Sequence, residues 1–479
     1  MAKVALIQNI MVENMGYMYI SAVLKEAGHQ VEFFYCDHFS QKKILQKLNK
    51  FGPDLVGFSV LRANRNYFLE LAQTIKESIE TRTIFGNIDA ILNPEIIDHP
   101  GVDIVCLCEG EYVMRELCQC LDRKESYCQI QGLWVKTAQG IQKNPMPESL
   151  VDLDRLPFHD RHLYDNYVSF RRSSYLRVST GRGCPGSCSF CNNLSLRKYF
   201  GGSRYLRKQS PKRAIEEIEY QISQRKRVKF IFFTDEVFWL DRKWLYEFLD
   251  LYRLRIKIPF SANYNFLSDL DEEDIKLLSE SYINNFIFAV ESGDESQRIN
   301  LLQKRVTDEK ILRIAQWLKK YKIKYVSSVM FGLPKDSVKD HIDRMNFYKK
   351  LNPSYLWSAF FQPYPGTQLA ELPDVKCAFF TDREFSPTVH HSLCVASEDS
   401  LQISNLKKVY FLCVKFPIFS NFLVWLTKFR IPFLFDLLFM IHFSYYMFAF
   451  ERISIFHFFM HLKAFCFNPI LNKFKAKGN

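Results

Sequence analysis

The stretch YLRVSTGRGCPGSCSFCNN, Tyr175–Asn193, decides how the rest of the chain is read. Its opening residues, Tyr175–Ser179, have the character of a strand. A Gly/Pro/Ser-rich loop follows, in which Cys184, Cys188 and Cys191 are spaced C-x3-C-x2-C. Three thiolates in so short a loop can wrap one iron-sulfur cube and leave its fourth iron without a protein ligand. An iron with an open site binds a substrate or cofactor, so the spacing predicts chemistry as well as structure. A structural zinc site is the competing reading, but no second C-x2-C or Cys/His pair lies at the usual distance.

Downstream of this loop, strands and helices alternate. Pro211–Gln224 reads as an amphipathic helix, and Phe230–Thr234 as a buried strand ending at Asp235 and Glu236. Helix Trp244–Leu254, strand Phe260–Tyr264 and helix Glu272–Ser281 come next. Strand Asn285–Val290 ends at Glu291-Ser292-Gly293. Helix Asp308–Tyr321 then precedes strand Tyr325–Phe331, which runs into Gly332-Leu333-Pro334; helix Asp340–Leu351 and strand Leu356–Gln362 complete the series. Most of the six strands end in polar or glycine-containing residues. That order predicts a partial or full α/β barrel with its site at the carboxyl face, an open sheet being the alternative.

Upstream, Lys3–Gln8, Val31–Tyr35, Asp54–Ser59, Arg82–Phe85 and Ile104–Leu107 read as strands. Helices over Tyr19–Ala27, Ile44–Lys50, Tyr67–Ser78 and Tyr112–Leu121 separate or close them. This pattern predicts a doubly wound, Rossmann-like parallel sheet, with ligand loops at the carboxyl ends of its strands: Asn9–Gly16, Ser59–Arg65, Gly86–Asn93 and Cys108–Glu111. Gly132–Val135 and Gly140–Lys143 look like a hairpin within a connector. The expected division is 1–130 for the first domain, 131–165 for the connector, 166–375 for the barrel and 376–479 for a helical C-terminal region.

A chain of 479 residues is long enough for two or three domains, each with its own core. MAKVALIQNI runs directly into a strand-like pattern, with no signal peptide in view. The thirteen cysteines do not form a secreted disulfide framework, so reduced thiols in the cytoplasm are expected. Cys106, Cys108, Cys118, Cys120 and Cys128 read as ordinary buried thiols, Asp37 and His38 as a turn, and His390 and His391 as surface residues. The net charge of +12 is uneven: residues 406–479 hold ten Lys/Arg against Asp436 and Glu451, a net of +8, and 17 of the 44 Phe.

The cysteine loop, with Phe190 before its last cysteine, resembles the signature of radical S-adenosylmethionine (SAM) enzymes. FFTDEVF (Phe232–Phe238), VESGDE (Val290–Glu295), GLP (Gly332–Pro334) and PYPGTQL (Pro363–Leu369) follow in the order that family shows. NMGYMYISAVLKEAGHQVEFF (Asn14–Phe34), HPGVDIVCLCEGE (His99–Glu111) and LVDLDRLPFHDR (Leu150–Arg161) are similar to the branch with an N-terminal cobalamin-binding domain. The resemblance covers roughly residues 1–375.

It implies a 4Fe-4S cluster on Cys184, Cys188 and Cys191, with SAM chelated by the fourth iron and cleaved reductively to a 5′-deoxyadenosyl radical. Phe190 would lie against the adenine, Asp235 and Glu236 would accept from the methionyl amino group, and Glu291 and Ser292 would contact the ribose or carboxylate end. As plain residues, Asp235 and Glu236 are solvated strand-end acids and Glu291 a helix cap. For cobalamin, Ser59-x-Leu61, Gly86, Asn87 and Gly110 correspond to the family's binding loops. The first loop reads IMVENMG where some members carry D-x-H-x-x-G, so a cobalt-ligating histidine is absent. A vestigial domain that only shapes a substrate cleft is the competing reading.

The expected reaction is cobalamin-dependent methyl transfer to an unactivated carbon. Radical cyclisation, rearrangement or oxidation without net methylation is the alternative, and a non-catalytic iron-sulfur protein the reading from a different class. The resemblance also implies an external electron donor. The Phe-rich, basic residues 406–479 suggest helices capping the barrel mouth or lying on the inner face of a membrane, and with them a small-molecule or lipid-like substrate; a spanning helix over Ile431–Phe450 is the lesser alternative, because Asp436 lies inside it. A tRNA-modifying relative would need three more suitably spaced cysteines in the N-terminal domain and a C-terminal β-barrel, so nucleic acid is not the expected partner.

Overall fold

The computed structural model describes residues 1–10, 12–36, 41–171, 173–225, 227–239, 241–264, 267, 269–373, 375, 399–452 and 458. The turn expected at Asp37 and His38 and the surface positions expected for His390 and His391 lie outside the described residues. The chain forms two compact units, Met1–Arg172 with Tyr220–Lys226, and Ser173–Glu219 with Arg227–Phe458.

The first unit is built on strands β1 (Lys3–Gln8), β2 (Gln30–Tyr35), β3 (Leu55–Ser59), β4 (Arg82–Gly86), β5 (Ile104–Cys106), β6 (Leu133–Thr137) and β7 (Gly140–Lys143). They lie in the order β2-β1-β3-β4-β5-β6-β7, parallel as far as β5. Helices α1 (Met15–Glu26), α2 (Gln41–Phe51), α3 (Arg65–Ser78), α4 (Ile88–Leu92), α5 (Gly110–Arg123) and α6 (Val168–Arg171) complete it. Strand side chains alternate between faces, and the burial follows that period. Val4, Leu6, Leu55 and Ile84 join one core with residues of α1 and α5, while Ala5, Ile7, Val56 and Phe58 join the other with residues of α2 and α3. The hairpin read as part of a connector instead adds β6 and β7, antiparallel, to the edge of this sheet.

In the second unit, β8 (Tyr175–Val178) is followed by a two-residue antiparallel pair, β9 (Gly181–Arg182) with β10 (Arg207–Lys208). Then come β11 (Phe230–Phe233), β12 (Phe260–Asn263), β13 (Ile283–Glu291), β14 (Lys324–Phe331) and β15 (Tyr355–Phe360). The six long strands β8-β11-β12-β13-β14-β15 are parallel and neighbours in chain order. With β8 and β15 both at edges, the sheet is a partial barrel. Its helices are α7 (Asn192–Tyr199), α8 (Pro211–Gln224), α9 (Arg242–Arg255), α10 (Glu272–Ser279), α11 (Asp308–Lys320) and α12 (Val338–Leu351).

Three more helices follow, α13 (Ser400–Lys415), α14 (Pro417–Leu426) and α15 (Pro432–Ala449). The end of α15 lies away from the mouth of the barrel. Tyr446 and Phe450 pack on Tyr355, the first residue of β15, the Phe450 carbonyl accepts from Asn284 at the start of β13, and Lys324 at the start of β14 lies over the Phe450 ring. The end of α15 therefore covers the amino ends of the strands, the floor opposite the cysteine loop. The reason is chemical: tyrosines at the strand starts offer rings and hydroxyls that an aromatic helix can match.

Candidate iron-sulfur and cofactor site

The cysteine loop leaves the carboxyl end of β8 and is fastened on several sides. Ser189 donates from its amide to the Leu302 carbonyl (3.0 Å) and accepts at its own carbonyl from the Leu369 amide (2.8 Å). The hydroxyls of Ser187 and Ser195 donate to the carbonyls of Gln303 and Gly366, and Arg197 donates to those of Cys184 and Pro185. Gly183 turns the loop at φ +88°, where a Cβ would stand 2.8 Å from the Tyr205 carbonyl oxygen. Only glycine fits both demands.

Among the described residues no three His, Cys, Asp or Glu side chains converge as one ion requires. Yet Cys184 and Cys188 flank Gly186, whose added Cβ would lie 3.3 Å and 3.8 Å from their sulfurs, and Cys191 feels the charge of both. A zinc ion would draw its sulfurs to about 2.3 Å from one centre. Three neighbouring thiols, with no fourth ligand beside them among the described residues, suit a 4Fe-4S cluster that keeps one iron open. Burial raises all three thiols, Cys191 to about 12. Metal loading must therefore expel protons from this loop.

The residues expected around the cluster divide into two groups. Asp235 is buried and occupied: its carboxylate accepts from the amide (3.1 Å) and hydroxyl (2.8 Å) of Thr180 and from Lys208 Nζ (2.9 Å). Lys208 is itself enclosed, over the rings of Trp244 and Phe238, and burial lowers its pKa in spite of Asp235. Ser292 is also engaged. Its hydroxyl donates to Gln297 Oε1 (2.7 Å) and accepts from the Asp294 amide, while its carbonyl accepts from Arg298. Asp235 and Ser292 thus bond to the frame around the cysteine loop and the turn after β13.

Glu236 and Glu291 differ from these. Glu236 is exposed to solvent yet hemmed in by protein atoms, which raises its carboxyl above the ordinary value; Asn193, whose amide donates to Cys191 Sγ at 3.7 Å, offsets this in part. Glu291 ends β13 at φ +70°, beside a break in register with β14. A non-glycine residue there is strained by about 1–3 kcal/mol. Its carboxyl is raised by burial and opposed by Lys304, the same buried amine that counters the raised pKa of Cys184 and Cys188. Phe190 packs with Leu302, Leu333 and Leu369, which gives GLP and PYPGTQL a common purpose as its bed. Asn193, Lys208 and Lys304 went unnoticed in the sequence because nothing local distinguishes them.

In the first unit the carboxyl edge of the sheet is a chain of amides. Ser59 Oγ accepts from Asn14 Nδ2 (3.1 Å) and Asn87 Nδ2 (2.9 Å), joining the loops after β1, β3 and β4. Asn87 stands at φ 78°, ψ −177°, a region otherwise left to glycine. Leu61 is exposed, and Gly110 opens α5 against Ile20. Glu13 sits where D-x-H-x-x-G would place its histidine, three residues before Gly16. It is buried, bonded to Arg161 and close to Arg225. The polar strand ends suit a large planar cofactor, and the Glu13 carboxylate is engaged by Arg161.

Comparison with known proteins agrees with both units. Residues 178–348 match the Radical SAM superfamily profile and residues 10–118 the B12 binding domain profile. An uncharacterized methyltransferase of Pyrococcus horikoshii is 26% identical over 373 residues, 74% of this chain and 77% of that protein. Hopanoid C-3 methylase of Methylococcus capsulatus is 27% identical over 238 residues, 47% of this chain and 42% of that protein. Among solved structures, the radical SAM methyltransferase TsrM of Kitasatospora setae, with cobalamin and a 4Fe-4S cluster bound, superposes with a TM-score of 0.65. Its identity is 15%, over 79% of this chain and 76% of that one.

Proposed function

The chain belongs to the radical SAM superfamily and carries a B12-binding domain ahead of its barrel, and from that premise we propose that it transfers a methyl group to an unactivated carbon of a small-molecule or lipid-like substrate. The observation that supports this most is the presence, in one chain, of a three-thiol loop at the carboxyl end of the first barrel strand and a B12-binding domain. Relatives named as methyltransferases, one of them for a hopanoid, support both the reaction and the substrate class. When bound, the cofactor set supplies reductive cleavage of SAM, hydrogen abstraction from carbon and a transferable methyl group.

The residues of the chain bind and orient. Cys184, Cys188 and Cys191 hold the cluster. Glu236 and Glu291 accept from the ammonium group and hydroxyls of SAM, Lys304 meets its carboxylate, and Phe190 offers a ring face to its adenine. Asp235 and Ser292 act through position, keeping the loop and the Glu291 turn in place. Ser59, Leu61, Gly86, Asn87 and Gly110 line the cobalamin edge, and Glu13 supplies no ligand to cobalt. Electrons come from an external donor in the cytoplasm, where the thiols stay reduced, with the protein peripheral to the inner face of the membrane.

Anaerobic incubation of cluster-reconstituted protein with SAM, hydroxocobalamin and a reductant tests the reading. Formation of 5′-deoxyadenosine together with S-adenosylhomocysteine is the expected result. 5′-Deoxyadenosine alone would favour rearrangement or oxidation, and neither product would overturn the enzymatic reading. Cys188→Ala should reduce both products to background and remove most of the iron.

A further inference from the structure

Helices α14 and α15 carry large apolar residues on their solvent-facing sides. On α14 the outward residues are Ile418, Phe419, Phe422 and Trp425, with Ile418 86% exposed, while Ser420 faces inward and is bonded to Met345 Sδ and Lys349 Nζ. On α15 the outward residues are Phe433, Leu437, Ile441 and Phe448, with Phe433 78% exposed. The inward His442 lies with Nδ1 against the Tyr355 hydroxyl and Nε2 against the Lys408 carbonyl, both at 2.9 Å. A helix facing water turns its apolar stripe to the core. Here aromatic and apolar residues cover the outer face as well as the inner one, in a patch far denser than the scattered apolar residues of an ordinary soluble surface.

Charge identifies what this face meets. Lys415 stands exposed just before α14, and Lys428 and Arg430 stand exposed in the turn between the helices; among the described residues none of the three pairs with an acid. The one acid on this face, Asp436, is tied to Lys408. Basic side chains beside exposed aromatics suit an anionic lipid surface, where the rings enter the acyl boundary and the cations reach phosphate. A second copy docking through a twofold would bring the same basic turn to both halves of the contact. Spanning does not suit α14, whose 10 residues reach about 15 Å against a hydrocarbon core of about 30 Å; α15, with 18 residues, is long and apolar enough to cross by length and composition alone. The other face of α15 is committed to the barrel floor.

We propose that the outer face of α14 and α15 is a docking surface by which the protein lies on an anionic leaflet without crossing it. The proposal makes the peripheral attachment specific, and it stands or falls independently of the reaction. The test is flotation of the full chain with phosphatidylcholine vesicles, with and without phosphatidylglycerol. Flotation with the anionic vesicles that weakens with salt is expected. The pair Ile418→Asp and Phe433→Asp, solvent-facing and so compatible with folding as checked by circular dichroism, should weaken it at least about tenfold. Reversing Lys428 and Arg430 to Glu should remove the preference for phosphatidylglycerol. Absence of flotation overturns the proposal. So does a stable dimer that the Ile418/Phe433 pair dissolves, or a chain that resists extraction at alkaline pH as a spanning protein does.

Discussion

At the carboxyl edge of the barrel sheet the cysteine loop is anchored through Thr180, Ser187, Ser189, Ser195 and Arg197. At the carboxyl edge of the N-terminal sheet, Asn14 and Asn87 donate to Ser59 and Asn64 donates to Asn9, side-chain amides joining three loops. The contrast follows from what each edge must hold. Thiol ligands have to be fixed to within fractions of an ångström, and a flexible loop does not fix them unless its backbone is bonded from several sides. A large cofactor is recognised by shape and by close backbone approach, so a few polar links and permissive backbone angles serve.

The largest expected effect strikes the anchored edge. Asp235→Ala leaves Lys208 buried and unpaired, which should cost about 3–5 kcal/mol, measured by urea denaturation, together with loss of iron per chain. Cobalamin retention should change little; if it fell as far as iron did, the two edges would not be separate. Gly183→Ala comes next. Its φ of +88° and the nearby Tyr205 carbonyl predict about 1–3 kcal/mol, read as incomplete cluster loading with the N-terminal sheet intact. The smallest effect has the opposite sign. Asn87→Gly relieves a strained backbone and should stabilise the protein by about 0.5–1 kcal/mol in thermal unfolding. A loss of stability would mean that the Asn87–Ser59 hydrogen bond outweighs the strain.

The anchored edge was the more legible one in the sequence. Cysteine spacing survives any folding of the loop, and the alternation of apolar runs with amphipathic stretches gave both sheets. What stayed hidden depended on contacts far apart in the chain. Lys208 looks like any surface lysine until β10 pairs with β9 and carries it under Asp235. Lys304 acquires meaning only where it meets Glu291. Asn14 was a local signal passed over: its side chain caps α1, so the helix starts at Met15 and not at Tyr19. The C-terminal helices were recognisable by composition, but no periodicity says which end of a barrel a helix will cover. That was decided by Tyr355 and its aromatic partners.

The floor of the barrel has a consequence for biosynthesis. Arg177, in the first barrel strand, shares the neighbourhood of Glu451, just after α15. A ribosome therefore releases the cysteine loop long before it makes the segment that closes the floor beneath it. During that interval the first barrel strand lacks the acidic neighbour that the finished floor gives its arginine.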